Sequence, residues 1–195
     1  MTSDSGAWLD EALTALGALL EARGLHYELV VVGGAGLLLR NVITRPTKDV
    51  DVLGARSAAG EVKPLVPFPA PLVAAVSAVG LAYGLAPDWL NPGPASLLDL
   101  GLPEGFAGRL EARRFGGLVA WIASRFDLAC LKLYAATDQW PARGRHLADL
   151  HALGPSVEDL RAAAAWTQTH DPSPAFAANL VAVLRSLDTE DADGA

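Results

Sequence analysis

The chain has 195 residues, 51% of them hydrophobic and 19% charged, with a net charge of −7. That supplies ample material for one core, or a core with a helical appendage, and the negative balance argues against a general polyanion binder. No window holds the roughly 20 unbroken apolar residues of a membrane span, and the lone cysteine, Cys130, cannot form an internal disulfide.

Apolar residues at 8, 9, 12, 13, 16, 19 and 20 predict a first helix from Ser5 to Arg23, with Ser5 or Asp4 as N-cap and Gly24 as the stop. The opening MTSDSGAWLDEAL is acidic and lacks the pattern of a secretory signal, so a cytoplasmic location is expected. Tyr27 to Val32 reads as a β-branched strand, Gly34 to Asn41 as helix, and Lys48 to Leu53 as a second strand. Val62 to Phe68 reads as irregular, Ala70 to Tyr83 as helix, and Asp88 to Gly105 (DWLNPGPASLLDLGLPEG) as a long connection rich in turn formers. Arg109 to Arg114 and Gly117 to Ile122 predict two strands about a turn at Gly116-Gly117. Helical patterns follow at 124–137, 145–153, 156–170 and 173–187, then an acidic tail expected to be disordered. The order predicts an α/β (α+β) fold: a mixed-sheet core over residues 1–122, a C-terminal helical bundle over 123–187 packed on it, and a tail over 188–195. Cys130, in DLACLKLYAA, reads as a small core residue, and Trp121 and Trp166 as core more than stacking platforms.

The charge is uneven. Between Arg109 and Asp149 seven Arg and Lys face four acids, so the middle is basic within an acidic chain. That suits a phosphate-rich ligand, and it also suits a merely solvated face.

Chemistry concentrates in YELVVVGGAGLLLRNVITRPTKDVDVL, residues 27–53. Gly33-Gly34 stands between a strand and a helix, where backbone N–H groups can approach an anion. A Gly pair there also serves as a plain tight turn. It is neither a Rossmann fingerprint nor a Walker loop, since GGAG places its third glycine too early and no GK[ST] follows. Asp49 and Asp51 are two residues apart, so in a strand they would project to one face. Paired carboxylates repel unless a cation neutralises them. Hard oxygen ligands at this spacing suit Mg²⁺, whose shell is completed by water and substrate phosphates. The plain alternative is that one Asp ends the strand and the other caps a turn. A phosphate-cradling turn and a carboxylate pair across one short helix argue together for phosphoryl or nucleotidyl chemistry.

The arrangement strand, Gly33-Gly34, short helix, then Arg45-Pro-Thr47-Lys-Asp49-Val-Asp51 resembles the nucleotidyltransferase fold of the polymerase-beta type, and looks closest to the branch that includes the AbiEii and MenT toxins. Other members often carry Gly-Ser where this chain has Gly33-Gly34. The segment FDLACLKLYAATDQWPARGRHLADLHAL (126–153) is similar to the family's lysine helix, Arg-rich turn and Asp-bearing helix. Carried over residue by residue, the resemblance makes Asp49 and Asp51 the metal-binding pair and Thr47 the Ser/Thr before it. Lys132 becomes the nucleotide-contacting lysine and Asp149 the later catalytic aspartate. Gly33, Gly34, Thr47 and Lys48 would lie at the nucleotide phosphates, and Arg45, Arg143 and Arg145 are candidates for RNA or phosphate contacts. DWLNPGP looks like a family feature without an assigned chemical role. The resemblance implies a Mg²⁺-dependent enzyme that moves a pyrimidine nucleotide, such as CMP from CTP, to the 3′ end of tRNA. It also implies a toxin silenced by a cognate antitoxin protein.

Read from residues alone, Lys132 lies between Leu131 and Leu133, where its charge must snorkel, reach the helix's polar side or meet an anion. Asp149 stands one turn from Arg145 and could pair with it at i, i+4. A third carboxylate, common in polymerase-type members, has only Glu111 as a candidate, flanked by basic residues that could pair with it. No histidine pair has zinc spacing and no G-x-S-x-G is present. Two other readings stay open: the same transfer to a protein or small-molecule acceptor such as an aminoglycoside, and a catalytically silent module that binds a partner.

Overall fold

The computed structural model describes residues 7–141 and 144–193, with side chains as far as Leu187. The expected N-caps at 4 and 5 lie outside the described residues. The chain divides into two compact units, Met1–Ser124 and Arg125–Ala195.

The first unit opens with α1 (Ala7–Ala22), whose Leu9, Leu13, Leu16 and Leu20 repeat at helical spacing and are fully buried. The strands are β1 (Tyr27–Val32), β2 (Val50–Arg56), β3 (Val62–Lys63), β4 (Leu90–Asn91), β5 (Glu111–Phe115) and β6 (Leu118–Ile122). The helices α2 (Gly33–Leu39), α3 (Ala70–Tyr83) and the single-turn α4 (Leu97–Leu100) lie between them, with 3-10 turns at Gly93–Ser96 and Phe106–Arg109. The sheet runs β3-β2-β1-β6-β5, with β4 also on β2. β1 is antiparallel to β2 and parallel to β6, so the sheet is mixed, as the sequence predicts.

One face of the sheet carries Leu29, Val31, Val52, Ala120 and Ile122, and it packs with α1, α2 and α3 in one apolar cluster. α1 comes so close to the β5–β6 hairpin that a Cβ on Gly17 would overlap the Phe115 carbonyl. The Gly117 N–H donates to the Gly17 carbonyl there at 3.0 Å. Alternation sends Val50 and Val52 into this core and Asp51 to the opposite face.

The expected connection at 88–105 is more structured than its turn formers suggest. Trp89 is fully buried and donates its indole N–H to the Val76 carbonyl on α3 at 3.0 Å. The Val50 N–H donates to the Trp89 carbonyl at 2.6 Å, and Leu90–Asn91 then pairs parallel with Val50–Asp51. DWLNPGP thus braces the start of β2. Trp121 is half-buried, so Trp89, not Trp121, is the indole in the core.

The described residues of the second unit form four helices: α5 (Arg125–Asp138), α6 (Gly144–Leu153), α7 (Val157–Gln168) and α8 (Pro174–Asp193). α5 packs against the other three, and Cys130 is buried in it. A capping box of Ser156 and Asp159 starts α7. The helix α8 runs to Asp193, beyond the 187 expected from periodicity, and the last two residues lie outside the described chain.

Candidate active site

The glycine turn and the aspartate motif meet in the first unit. Gly33 opens α2 at φ +65, a left-handed conformation that favours glycine. β1–β2 pairing sets Val32 opposite Asp51, and a Cβ on Gly33 would overlap the Asp51 carboxylate. A Cβ on Gly34 would stand 2.8 Å from the Thr47 Oγ1. The Thr47 hydroxyl in turn donates toward the Asp49 backbone oxygen at 3.3 Å and its carboxylate Oδ1 at 3.4 Å. Asp51 lies over Gly33, and Thr47 links Gly34 to Asp49. Both glycines are bare because carboxylate and hydroxyl occupy the space a side chain would need.

One local expectation is corrected. β2 begins at Val50, so Asp49 stands in the loop just before the strand and only Asp51 is within it. The reason is non-local: β4 and the Trp89 carbonyl fix where pairing starts. Both aspartates are half-buried. Lys48 is exposed and Arg45 half-buried in the preceding loop. Asn91, which sequence reasoning did not single out, lies beside Asp51 on the other side from Val32. Its amide accepts from the Gly93 N–H at 2.8 Å and donates to the Asp88 carbonyl at 3.3 Å, so it shapes the loop against β2.

Glu111 belongs to another arrangement. The Arg40 guanidinium, at the C-terminal end of α2, pairs with it at 3.0 Å and also donates to the backbone oxygens of Ile122 and Ala123. The partner is Arg40 and not the neighbouring Arg109 or Arg113, because β5 is an edge strand whose first residue meets the end of α2. The pairs Glu111–Ile122, Ile122–Val31 and Val31–Val52 place Glu111 three strands from β2. At about 4.8 Å per strand that is about 14 Å, too far to share a metal with Asp51. No group of three or more His, Cys, Asp or Glu placed to hold a metal occurs among the described residues.

The second unit brings together the other two expected residues. Lys132 Nζ pairs with Asp149 Oδ2 at 2.7 Å, with side-chain exposures of 9% and 1%. The lysine meets an anion, as its apolar neighbours require, and that anion comes from α6. Asp149 therefore does not depend on Arg145, which is exposed at the start of α6. Arg143 lies outside the described residues. Arg125 closes the end of α6 by donating to the Leu153 carbonyl.

A two-carboxylate site fits Mg²⁺, which takes one or two protein carboxylates and fills its shell with water and phosphate oxygens. Asp49 and Asp51 are the residues that would hold it.

No curated protein and no solved structure matches the chain. No helix among the described residues is long and apolar enough to cross a membrane. One family model matches residues 10–140, more than half of the chain and all of the Gly33–Asp51 site. The chain belongs to the family described as nucleotidyltransferase of unknown function, DUF6036.

Proposed function

We propose that the protein is a Mg²⁺-dependent nucleotidyltransferase that moves a nucleoside monophosphate from an NTP to the 3′ end of tRNA, as the toxin of a toxin-antitoxin pair. The observation that carries this reading is the cradle in which Asp51 overlies Gly33 and Thr47 joins Gly34 to Asp49. Asp49 and Asp51 hold the metal, which supplies Lewis-acid stabilisation of the charge that builds on phosphorus. The Gly33-Gly34 backbone, Thr47 and Lys48 orient the triphosphate. Lys132 and Asp149 act as a unit, with the pairing to Asp149 holding the lysine side chain in place for the phosphates. Arg45, Arg143 and Arg145 contact the RNA backbone, and a pyrimidine such as CTP is the donor. An antitoxin protein is the cognate inhibitor.

The test is incubation with total tRNA, Mg²⁺ and each labelled NTP in turn, beside Asp49→Ala. The reading requires label on tRNA with the wild type only. No label on RNA from any NTP overturns the acceptor assignment. A small-molecule acceptor has one observation in its favour: a groove of about 340 Å³ lined by Pro64, Val66, Pro92, Gly93, Ser96 and Asp99, the last four within the stretch that follows Asn91. That volume lies within the range of small-molecule sites.

A further inference from the structure

A second cationic feature lies on the same sheet face as Asp51, at the other end of β2. Arg56 ends that strand, and its guanidinium carbon sits 4.0 Å from the centre of the Trp121 ring. The Trp121 indole N–H donates to the Glu28 carboxylate at 2.7 Å, which fixes the ring's orientation beneath the guanidinium. Arg56 is itself half-buried, its Nε is fully buried without a hydrogen-bond acceptor, and no ion pair reaches it among the described residues. A Cβ on Gly60 would stand 3.2 Å from its Nη2, so the β2–β3 turn packs against that edge of the guanidinium and glycine leaves it room.

An arginine carries five N–H donors in a rigid plane. The buried Nε faces the protein, so the donors left to a ligand's oxygens are the outer nitrogens of the half-buried side chain. Stacking on the indole fixes the plane before any ligand arrives. Register extends the surface. Arg114 pairs with Val119, which pairs with Glu28, so Arg114 lies on this same face, exposed. Two cations thus accompany one carboxylate, and that carboxylate already accepts from Trp121. A sheet face with an aromatic ring and planar cations is the chemistry that binds single-stranded nucleic acid.

We propose that Arg56, held flat on Trp121, is a phosphate site for a single-stranded RNA, and that Arg114 extends it. Five residues along β2 separate Arg56 from Asp51, about 16 Å at 3.3 Å per residue. The Leu98 side chain lies against Gly54 between them, so a strand bound at Arg56 passes around it before its end meets the aspartates. The assignment of that strand as the acceptor rests on the proposed nucleotidyl transfer, whereas the phosphate site does not.

The experiment is fluorescence anisotropy of a short labelled single-stranded RNA with the full chain, without NTP or metal, across a salt series. The variants are Arg56→Gln, Arg56→Lys and Trp121→Phe, each checked by circular dichroism. Arg56→Gln is expected to weaken binding about tenfold and to reduce the salt slope by about one. Arg56→Lys keeps the slope and loses part of the affinity, since charge remains while the planar fork is lost. Unchanged RNA binding in folded Arg56→Gln or Arg56→Lys overturns the proposal. So does an acidic polyglutamate peptide that binds through Arg56 where RNA does not. Arg56-dependent RNA binding without any nucleotide transfer sustains the phosphate site and sinks the proposed reaction. Transfer with Arg56-independent RNA binding does the reverse.

Discussion

Two pairs of charged side chains in this molecule solve opposite problems. Lys132 and Asp149 are almost fully buried and neutralise one another at 2.7 Å. Asp49 and Asp51 carry like charges, are half-buried, and stand against a glycine turn and a threonine. In the first pair the chain supplies its own counter-ion. In the second, two carboxylates stand two residues apart at the start of β2, a spacing of oxygen donors that suits a hard cation. The difference teaches that the partner of a buried ion pair is settled by packing, whereas a carboxylate pair beside a glycine turn is read from its spacing.

The comparison breaks or sharpens most strongly when each pair is dismantled. Asp49→Asn and Asp51→Asn are each expected to lower nucleotide transfer by about a thousandfold, because several kcal/mol of metal stabilisation is at stake. In urea unfolding Asp49→Asn should stay within about 0.5 kcal/mol of the wild type, as a substitution outside the core. Lys132→Ala or Asp149→Ala, by contrast, should cost about 3–5 kcal/mol, since each strands a buried charge. The double change Lys132→Met with Asp149→Leu should recover most of that stability while leaving transfer lost. Recovery of transfer as well would assign the pair to the fold alone.

Gly33→Ala tests the cradle itself. The left-handed backbone alone costs about 1–2 kcal/mol in a residue with a Cβ, and that Cβ would push the Asp51 carboxylate away. Thermal unfolding and transfer should both fall, transfer by more.

The smallest effect is a pH dependence in the helical unit. Burial pushes the His170 imidazole below its ordinary 6.5, where it packs edge-on against Trp166 at 4.3 Å and Tyr134 at 5.2 Å. The folded chain therefore binds that proton more weakly than the unfolded chain does. Its contribution is whole above pH 6.5 and is lost as pH falls through the folded value. Urea unfolding of His170→Gln should show a flatter acid limb than the wild type.

Much of this was legible in the sequence, for local reasons. The apolar stretch from Ala70 to Tyr83 forms a helix with those bounds, and the four C-terminal helices begin within about a residue or two of their periodic patterns. Gly33-Gly34 and the pair Asp49 and Asp51 stand out because turn chemistry and residue spacing are local, whereas Thr47 enters only through the family resemblance. What escaped depends on distant partners. Asp49 falls outside β2 because the Trp89 carbonyl takes the Val50 N–H. Nothing near Trp89 in the chain signals that DWLNPGP returns to brace that strand. Asp149 has Arg145 one turn away in sequence, yet the bundle sets Lys132 of α5 against it. Glu111 likewise meets Arg40, 71 positions earlier, and neither of its basic neighbours. Helix and strand periods record which face is buried, whereas the partner of a buried charge is decided by packing.

The most direct test of the central claim is uptake of Mn²⁺, standing in for Mg²⁺, read from the loss of its free electron paramagnetic resonance signal with a non-hydrolysable NTP present. Wild type and the Asp49→Asn, Asp51→Asn double variant are compared. The account predicts nucleotide-dependent uptake by the wild type and none by the variant. Equal uptake by both would contradict it, and would remove the aspartate pair from the site.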